Sequence, residues 1–185
     1  MLSYDLVDKY NVPVPRYTSY PTVPYWEEPM NDIDDWKNQI QKAIACNKTK
    51  EGISLYLHLP FCEQLCTYCG CNKRITKNHQ VEDKYIAALL TEWEQYKAIF
   101  GDALCIREVH LGGGTPTFFS PKNLYLLLSA LFKDVRIHPA HEFSFEGHPN
   151  NTTFEHLETL YKLGFRRVSF GVQDTDAKVQ IAINR

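Results

Sequence analysis

Hydrophobic and polar positions alternate over residues 53–59, where isoleucine or leucine fills every second position. Ser54, Tyr56 and His58 fill the positions between, so this segment is predicted to be a strand with one apolar face. Similar patterns predict strands over residues 106–111, 142–146 and 167–173. Apolar residues at helical spacing predict helices over residues 32–46 and 81–100, after Ser120, after Thr152 and over residues 176–184.

The predicted strands and helices alternate through four strand–helix units. Such alternation is typical of a parallel sheet with right-handed crossover connections. The lengths of the units fit either an open doubly wound sheet or part of a βα barrel. The hydrophobic pattern does not choose between these two α/β folds.

Two helix starts carry recognisable capping signals. Ser120 is followed by Pro121, which suits an N-cap and the first helical position. Thr152 and Glu155 have the spacing of a capping box. The helix predicted after this capping box carries four large apolar or aromatic residues, Phe154, Leu157, Leu160 and Tyr161, and is closed by Gly164.

The first 30 residues are rich in proline, tyrosine and threonine. Five prolines between Pro13 and Pro29 exclude a long helix there, so this segment is predicted to be an extended arm. Its aromatic side chains, among them Tyr17, Tyr20 and Trp26, favour an ordered arm over a flexible leader. We therefore expect residues 1–50 to form the arm and one helix, and residues 51–185 to form the main domain.

Size and charge limit the possible classes of protein. At 185 residues, with 44% hydrophobic and 23% charged residues, the chain is expected to form a globular domain with a real core. The net charge of -2 gives no electrostatic reason to expect nucleic acid or an anionic membrane as a partner. The N-terminus lacks the pattern of a signal peptide, and no apolar run is long enough to cross a membrane. We therefore expect a cytoplasmic location.

Cys62, Cys66 and Cys69 follow the first predicted strand at CxxxCxxC spacing. Clustered cysteines in a cytosolic protein indicate metal binding or catalysis, and thiolates are suitable ligands for iron–sulfur clusters. Three cysteines would leave one iron of a 4Fe–4S cube free to bind a substrate or cofactor. The alternative, a structural zinc site, usually needs a second, separate cysteine pair, which the sequence lacks. Cys71 is predicted to be a small buried residue and not a ligand.

The remaining cysteines and most of the histidines are expected to have no chemical role. Cys46 and Cys105 are predicted to lie in the core. His156 is among the histidines expected at the surface. His58 follows Tyr56 on the same strand face, so it is a candidate hydrogen-bond donor near the cysteine loop, although a purely structural role fits it equally well.

Chemically distinctive residues follow each of the four predicted strands. The cysteine loop follows the first strand, a Gly-Gly-Gly-Thr-Pro-Thr segment at residues 112–117 follows the second, Glu146 ends the third, and Gln173 ends the fourth. Ligands of βα folds bind at the carboxyl ends of the strands. The sequence therefore predicts a single site at one rim of the sheet.

Three segments of this chain resemble a known family. CxxxCxxC resembles the signature of the radical S-adenosylmethionine enzymes, in which the open iron of the cluster binds the methionine moiety of the cofactor and an electron from the cluster yields a 5′-deoxyadenosyl radical. Residues 56–71, the glycine segment at 112–117 and Arg-Tyr-Thr-Ser-Tyr-Pro-Thr at residues 16–22 resemble one branch, the oxygen-independent coproporphyrinogen III oxidases.

The resemblance implies a fold and indicates which part of that fold this chain forms. Radical S-adenosylmethionine enzymes are built on a partial (βα)6 barrel, and four βα units are visible here, preceded by the arm and one helix. The chain thus resembles the N-terminal part of a longer protein. We expect poor solubility or low activity of the chain alone, because an interrupted barrel exposes a strand edge and helix faces.

The resemblance also implies the site residues. Cys62, Cys66 and Cys69 would bind the 4Fe–4S cluster. Tyr56, Tyr68 through its backbone, Gly113 and Glu146 would contact a first S-adenosylmethionine. A second molecule of the cofactor would be lined by Gly114, Thr115, Gln173 and Arg185. Gly147-His148-Pro149 departs from the family pattern, in which an apolar residue and Asp-Pro usually follow the glutamate.

The function implied by the resemblance is a step of anaerobic haem biosynthesis. The family oxidatively decarboxylates two propionate side chains of coproporphyrinogen III to vinyl groups, which gives protoporphyrinogen IX. A tetrapyrrole substrate and an electron donor of unknown identity are expected, and the full-length protein is expected to be a monomer.

Three alternatives stay open at this point. The first is a haem-binding chaperone of the same fold, which usually lacks Cys71 and the N-terminal arm. The second is a related anaerobic haem-degrading radical methyltransferase. The third is a zinc-stabilised binding module.

Overall fold

The computed structural model describes residues 4–11, 32–46 and 51–185. The predicted arm falls mainly on residues 12–31, so Arg16, Tyr17, Tyr20 and Trp26 lie outside the described residues. Helix α1, Tyr4–Tyr10, precedes the proline-rich segment. The prediction of an extended chain from the first residue is therefore wrong at α1, which ends before Pro13, the first residue that restricts the backbone.

Helix α2, Ile33–Ala45, confirms the helix predicted over residues 32–46. Its apolar residues Trp36, Ile40 and Ile44 are spaced four apart in the sequence, and each is half-buried. Contacts divide the chain into two compact units, residues 1–38 and 39–185, with the division inside α2. The boundary expected at residue 50 stays a prediction.

The main sheet consists of four parallel strands, β1 Ile53–Leu59, β4 Cys105–Gly113, β5 Arg136–Gly147 and β6 Phe165–Phe170. They lie in the order β1, β4, β5, β6. Two short strands, β2 Phe61–Cys62 and β3 Arg74–Ile75, pair in parallel within the cysteine segment. Each main strand lies beside the next one in the chain, which confirms the predicted parallel α/β sheet.

Helices connect the main strands. They are α3 Val81–Phe100, α4 Pro121–Phe132, α5 Phe154–Lys162 and α6 Ala177–Ala182. The predicted N-cap of α4 is confirmed, because the Ser120 side chain accepts a hydrogen bond from the backbone N–H of Asn123 at 3.2 Å. No helix in the described part of the chain combines the length and apolar character that a membrane crossing requires.

The two faces of the main sheet differ in character. One face supplies Leu57, Leu59, Val109, Leu111, Phe143 and Phe145 to the core, where they pack with the apolar side chains of α3, α4 and α5. The opposite face carries Tyr56, His58, His110, Ser144 and Glu146, which are exposed or half-buried. A polar face of this kind is expected on the inner side of a partial barrel that binds a ligand.

A buried carboxylate joins the start of α3 to the start of α4. Glu82 is only 1% exposed. Its oxygens accept hydrogen bonds from the Ser120 backbone N–H at 3.0 Å and the Asn123 side chain at 2.8 Å, and one lies 2.7 Å from Nδ1 of His79. These partners compensate the burial of the charge and fix both helices below the rim.

The cap of α5 lies one residue beyond the predicted Thr152–Glu155 box. Thr153 is the N-cap, and His156 provides the reciprocal bond, because its Nδ1 accepts from the Thr153 backbone N–H at 3.1 Å. His156 Nε2 then donates to the carbonyl of Phe119 at 2.9 Å. His156 is consequently buried, so its predicted surface position is wrong.

In α5, Leu157 and Leu160 pack against the core, whereas Phe154 and Tyr161 are exposed. Two further predictions of burial are wrong. Cys46 is exposed just after α2 ends, whereas Cys105 is buried as predicted. Cys71 is also exposed, since it lies on the open part of the cysteine loop.

Candidate functional site at the strand ends

A cavity of about 510 Å³ lies at the carboxyl ends of the main strands. Segments that follow β1, β4, β5 and β6 all contribute to its lining, as the order of the sheet requires. Of the residues predicted for the site, the cavity is lined by Cys62, Cys66, Cys69, Tyr68, Gly113, Gly114, Thr115, Glu146, Gln173 and Arg185. Tyr56 does not line it, but lies 58% exposed on the polar sheet face nearby.

The cysteine loop is closed by the short β2–β3 pairing. Cys62 ends β2, and its carbonyl accepts a hydrogen bond from the Thr76 backbone N–H at 2.9 Å. The Arg74 N–H donates to the carbonyl of Pro60 at 2.8 Å. Within the loop, the Cys69 N–H donates to the carbonyl of Cys66 at 3.1 Å. The backbone thus holds the three cysteines along one short turn that faces the cavity.

The environments of Cys62 and Cys69 differ electrostatically. Burial raises the pKa of the Cys62 thiol, and the Thr115 hydroxyl opposes this change. At Cys69 burial also acts to raise the pKa, but hydrogen bonds from Cys71 and the nearby Lys73 ammonium outweigh it, so the pKa is lowered. Lys73 Nζ also donates to the carbonyls of Cys69 and Cys71, at 3.1 and 3.2 Å. The surroundings of Cys69 therefore favour the thiolate, which is the form that binds metal, whereas those of Cys62 disfavour it.

The donor set fits an iron–sulfur cluster. Cys62, Cys66 and Cys69 are free thiols on one loop, and all of them line the same cavity. Within residues 4–11, 32–46 and 51–185, no three histidine, cysteine or carboxylate side chains are arranged to hold a single metal ion. A cubane cluster does not need such convergence, because each thiolate binds a different iron.

The end of the described chain is bonded to the cysteine loop. The Asn184 side chain donates to the carbonyl of Leu65 at 2.7 Å, and the Thr67 N–H donates to the carbonyl of Ile183 at 3.2 Å. Arg185 Nη1 lies 3.5 Å from Cys66 Sγ. Its Nε donates to the carbonyl of Gly171 at 3.0 Å, and Nη2 bonds to the same oxygen. The guanidinium thus bridges the segment after β6 and the cysteine loop.

Polar side chains on the inner sheet face form a connected set. Tyr56 Oη lies 3.2 Å from Nδ1 of His58, and the Tyr56 ring stacks on His110 with centroids 5.9 Å apart. His110 Nδ1 is 2.8 Å from Ser144 Oγ, and its Nε2 is 3.6 Å from a carboxylate oxygen of Glu146. His58 Nε2 lies 2.8 Å from the carbonyl of Asn72. The set extends from the cysteine loop to Glu146, which places His58 near that loop as predicted.

The glycine segment after β4 approaches the cysteine loop closely. Gly113 has φ +114°, a conformation that side chains rarely adopt, and a Cβ there would meet the His58 ring at 2.9 Å. At Gly114 a Cβ would meet the Pro60 carbonyl oxygen at 2.6 Å. Only glycine therefore allows this approach of the two backbones.

The cavity also includes residues for which the sequence suggested no role. His148, Asn150 and Asn151 follow β5, while Glu63 lies next to Cys62. Burial lowers the pKa of His148, and the positive charge of Arg185 lowers it further, although Glu63 acts in the opposite direction. In the sequence, the feature that indicated a place for His148 near the site was its position two residues after Glu146, where the chain departs from the family pattern.

Comparisons with known proteins agree with this geometry. The pattern of the Radical SAM superfamily matches residues 56–185. The chain is 38% identical over 183 residues to the oxygen-independent coproporphyrinogen III oxidase of Pseudomonas aeruginosa, covering 98% of this chain and 39% of that protein. It is 36% identical to the enzyme of the same name from Helicobacter pylori, covering 100% of this chain and 40% of that protein.

A solved structure is also similar. It is coproporphyrinogen III oxidase from Escherichia coli, described as a radical SAM enzyme, with a TM-score of 0.80 and 33% identity. The match covers 97% of this chain and 38% of that chain. The present chain thus spans about two fifths of the length of the relatives it matches. The likeness confirms the predicted partial radical S-adenosylmethionine barrel.

Proposed function

The chain belongs to the radical S-adenosylmethionine superfamily, and on that premise we propose that it acts in the oxygen-independent oxidative decarboxylation of coproporphyrinogen III to protoporphyrinogen IX. The observation that carries the proposal is the cavity in which three loop thiols, the glycine segment, Glu146 and Arg185 meet. The names of the similar proteins support the choice of substrate. Neither the haem chaperone nor the haem-degrading methyltransferase receives such support.

Two cofactors follow from the family. Cys62, Cys66 and Cys69 would hold a 4Fe–4S cluster, and S-adenosylmethionine would occupy the cavity beside them. When bound, these groups supply the radical that takes a hydrogen atom from a propionate side chain of the substrate. An external electron donor is required, and the proposed reaction needs no nucleic acid or membrane partner. We expect a cytoplasmic location and a monomeric state of the full-length protein.

The residues of the chain would position the first cofactor molecule. The backbone at Gly113 is free of a side chain at the end of β4, so its polar groups can approach a ligand closely. Glu146 presents a carboxylate at the rim, which suits the ammonium group of the methionine moiety. Tyr56, on the adjacent polar sheet face, and the backbone of Tyr68, on the cysteine loop, would complete this subsite.

A second molecule of S-adenosylmethionine is the finer part of the proposal. Gly114, Thr115, Gln173 and Arg185 line the cavity on the β4 and β6 sides. Gln173 has φ +72°, a strained backbone conformation that is common at ligand sites. The number of bound cofactor molecules can be obtained by equilibrium dialysis of the reconstituted protein.

The proposal is tested by anaerobic turnover with dithionite, S-adenosylmethionine and coproporphyrinogen III, with products separated by liquid chromatography. We expect 5′-deoxyadenosine, carbon dioxide and vinyl-bearing porphyrinogen, in low yield from this chain alone, and none of them from the Cys66→Ala variant. Formation of 5′-deoxyadenosine that is independent of coproporphyrinogen III would contradict the proposed substrate. Tight binding of haem without any cleavage of the cofactor would favour the chaperone.

A further inference from the structure

The hydroxyl of Thr115 lies beside the sulfur of Cys62. The two atoms are 3.4 Å apart, within hydrogen-bond distance for sulfur, although the residues are 53 positions apart in the sequence. Thr115 is 9% exposed and Cys62 is half-buried, so water competes little for this contact. A contact shielded from water is electrostatically stronger than the same contact at the surface.

Backbone hydrogen bonds fix this contact. The Thr115 N–H donates to the carbonyl of Phe61 at 3.0 Å, and the Gly114 N–H donates to the carbonyl of Leu59 at 2.9 Å. These bonds join the segment after β4 to the residues that immediately precede Cys62. The absence of a Cβ at Gly114 permits the approach, as its contact with Pro60 indicates. The backbone that carries the hydroxyl is therefore held beside Cys62 by the fold.

The direction of this hydrogen bond follows from the chemistry of a cluster ligand. A cysteine bound to iron is a thiolate and has no proton to donate. The Thr115 hydroxyl has one, so it must be the donor in the loaded protein. Donation of a hydrogen bond to a cluster sulfur withdraws negative charge from it and favours the reduced state.

We propose that Thr115 is a positioning residue that sets the reduction potential of the cluster through its hydrogen bond to Cys62. This inference rests on the proposed cluster on Cys62, Cys66 and Cys69, and adds to it a residue that controls how readily the cluster accepts an electron. It is separate from any contact that Thr115 makes with a cofactor molecule, because it acts in the absence of S-adenosylmethionine.

The test is a redox titration of the anaerobically reconstituted chain in the absence of S-adenosylmethionine. The reduced cluster is measured at each potential by electron paramagnetic resonance. Thr115→Val removes the hydroxyl but keeps the shape of the side chain. Thr115→Ala also removes the hydroxyl and leaves a smaller side chain. Thr115→Ser keeps the hydroxyl and is the matched control. We expect the midpoint potential to become more negative in the valine and alanine variants, and to stay near the wild-type value in the serine variant.

Each outcome bears on one claim. Equal potentials in wild type, valine and alanine variants would overturn the role of Thr115 while leaving the cluster proposal intact. A wild-type chain that binds no cluster would instead refute the proposed function. If the valine and alanine variants fail to assemble a cluster while the serine variant succeeds, the hydroxyl builds the site and does not tune it, which also overturns the inference.

Discussion

Nη1 of Arg185 lies 3.5 Å from Sγ of Cys66, although 119 residues separate them in the sequence. The same guanidinium bonds to the carbonyl of Gly171 after β6. One planar side chain therefore connects the cysteine loop to the opposite side of the cavity. Lysine has the same charge but a single nitrogen, so it cannot reproduce this bridge.

Arg185→Lys is expected to loosen the cysteine loop. The Thr67 amide, which bonds to the carbonyl of Ile183 beside this bridge, should exchange its hydrogen about tenfold faster, since a hydrogen bond to a charged group contributes about 1.5 kcal/mol or more. Hydrogen exchange measured by NMR checks this. Arg107→Lys, at an exposed pair with Glu51, should leave Thr67 unchanged. An unaltered exchange rate in Arg185→Lys would contradict the bridging role.

Cys71 and Cys69 are expected to behave differently as alanine variants. Both are close to Lys73, but only Cys69 belongs to the CxxxCxxC spacing, and Cys71 is exposed. Cys69→Ala should lose the cluster, whereas Cys71→Ala should retain the same iron and sulfide content as wild type. Chemical analysis after reconstitution measures both, with Cys46→Ala as an exposed control. Loss of one iron per chain in Cys71→Ala would identify it as a ligand.

Gly114→Ala should destabilise the chain and disturb the site. Its Cβ would meet backbone atoms of Pro60 and Phe61 at 2.6 to 2.8 Å, and backbone cannot move aside as a flexible side chain can. Overpacking of this kind costs about 1–3 kcal/mol in free energy of unfolding. Gly70→Ala is the matched control, because nothing lies within 4 Å of its Cβ position. Equal unfolding midpoints in denaturant for the two variants would contradict the close approach.

The strands of this fold were predictable because their alternation is strict. In β1, Leu57 and Leu59 are buried and Tyr56 is exposed, as the pattern of residues 53–59 required. The rule that parallel strands end at one rim then gave the location of the site. The cap of α5 was not predictable in this way, because the Thr152–Glu155 spacing indicated a cap at Thr152, whereas Thr153 is the N-cap in the structure. The choice depends on His156, whose ring reaches the Phe119 carbonyl only in the folded structure.

The composition of the site was predictable in part. CxxxCxxC carries its chemistry in its spacing, so it could be recognised directly. The glycine segment is a weak signal alone, and it was identified by its place after a strand and by its resemblance to a family motif. For His148 the sequence indicated only a position near the rim, and for Glu63 it indicated no position, because their place in the cavity depends on how the segments after β1 and β5 meet. The contact between Thr115 and Cys62 likewise depends on backbone bonds between distant segments.

His148 is expected to make stability depend on pH. Burial and the Arg185 charge lower its pKa in the folded chain, so the unfolded chain binds the proton more readily. The free energy of unfolding should therefore decrease as pH falls below the ordinary histidine pKa, and should be independent of this group at higher pH. Guanidinium unfolding at several pH values measures the slope.

His148→Asn provides the control for this slope. Asparagine keeps an acceptor for the Asn150 backbone N–H, which bonds to Nδ1 of His148 at 3.1 Å, but it cannot titrate. The variant should lose part of the decrease at acid pH. If wild type and variant have the same slope, His148 does not contribute to it.

The most direct test of the central claim is electron paramagnetic resonance of the anaerobically reconstituted and reduced chain, with and without S-adenosylmethionine. The account predicts a 4Fe–4S signal that depends on Cys62, Cys66 and Cys69 and changes when the cofactor is added, because an iron without a protein ligand is open to it. A stoichiometric zinc content with no cluster signal, or a cluster signal that S-adenosylmethionine leaves unchanged, would contradict the account.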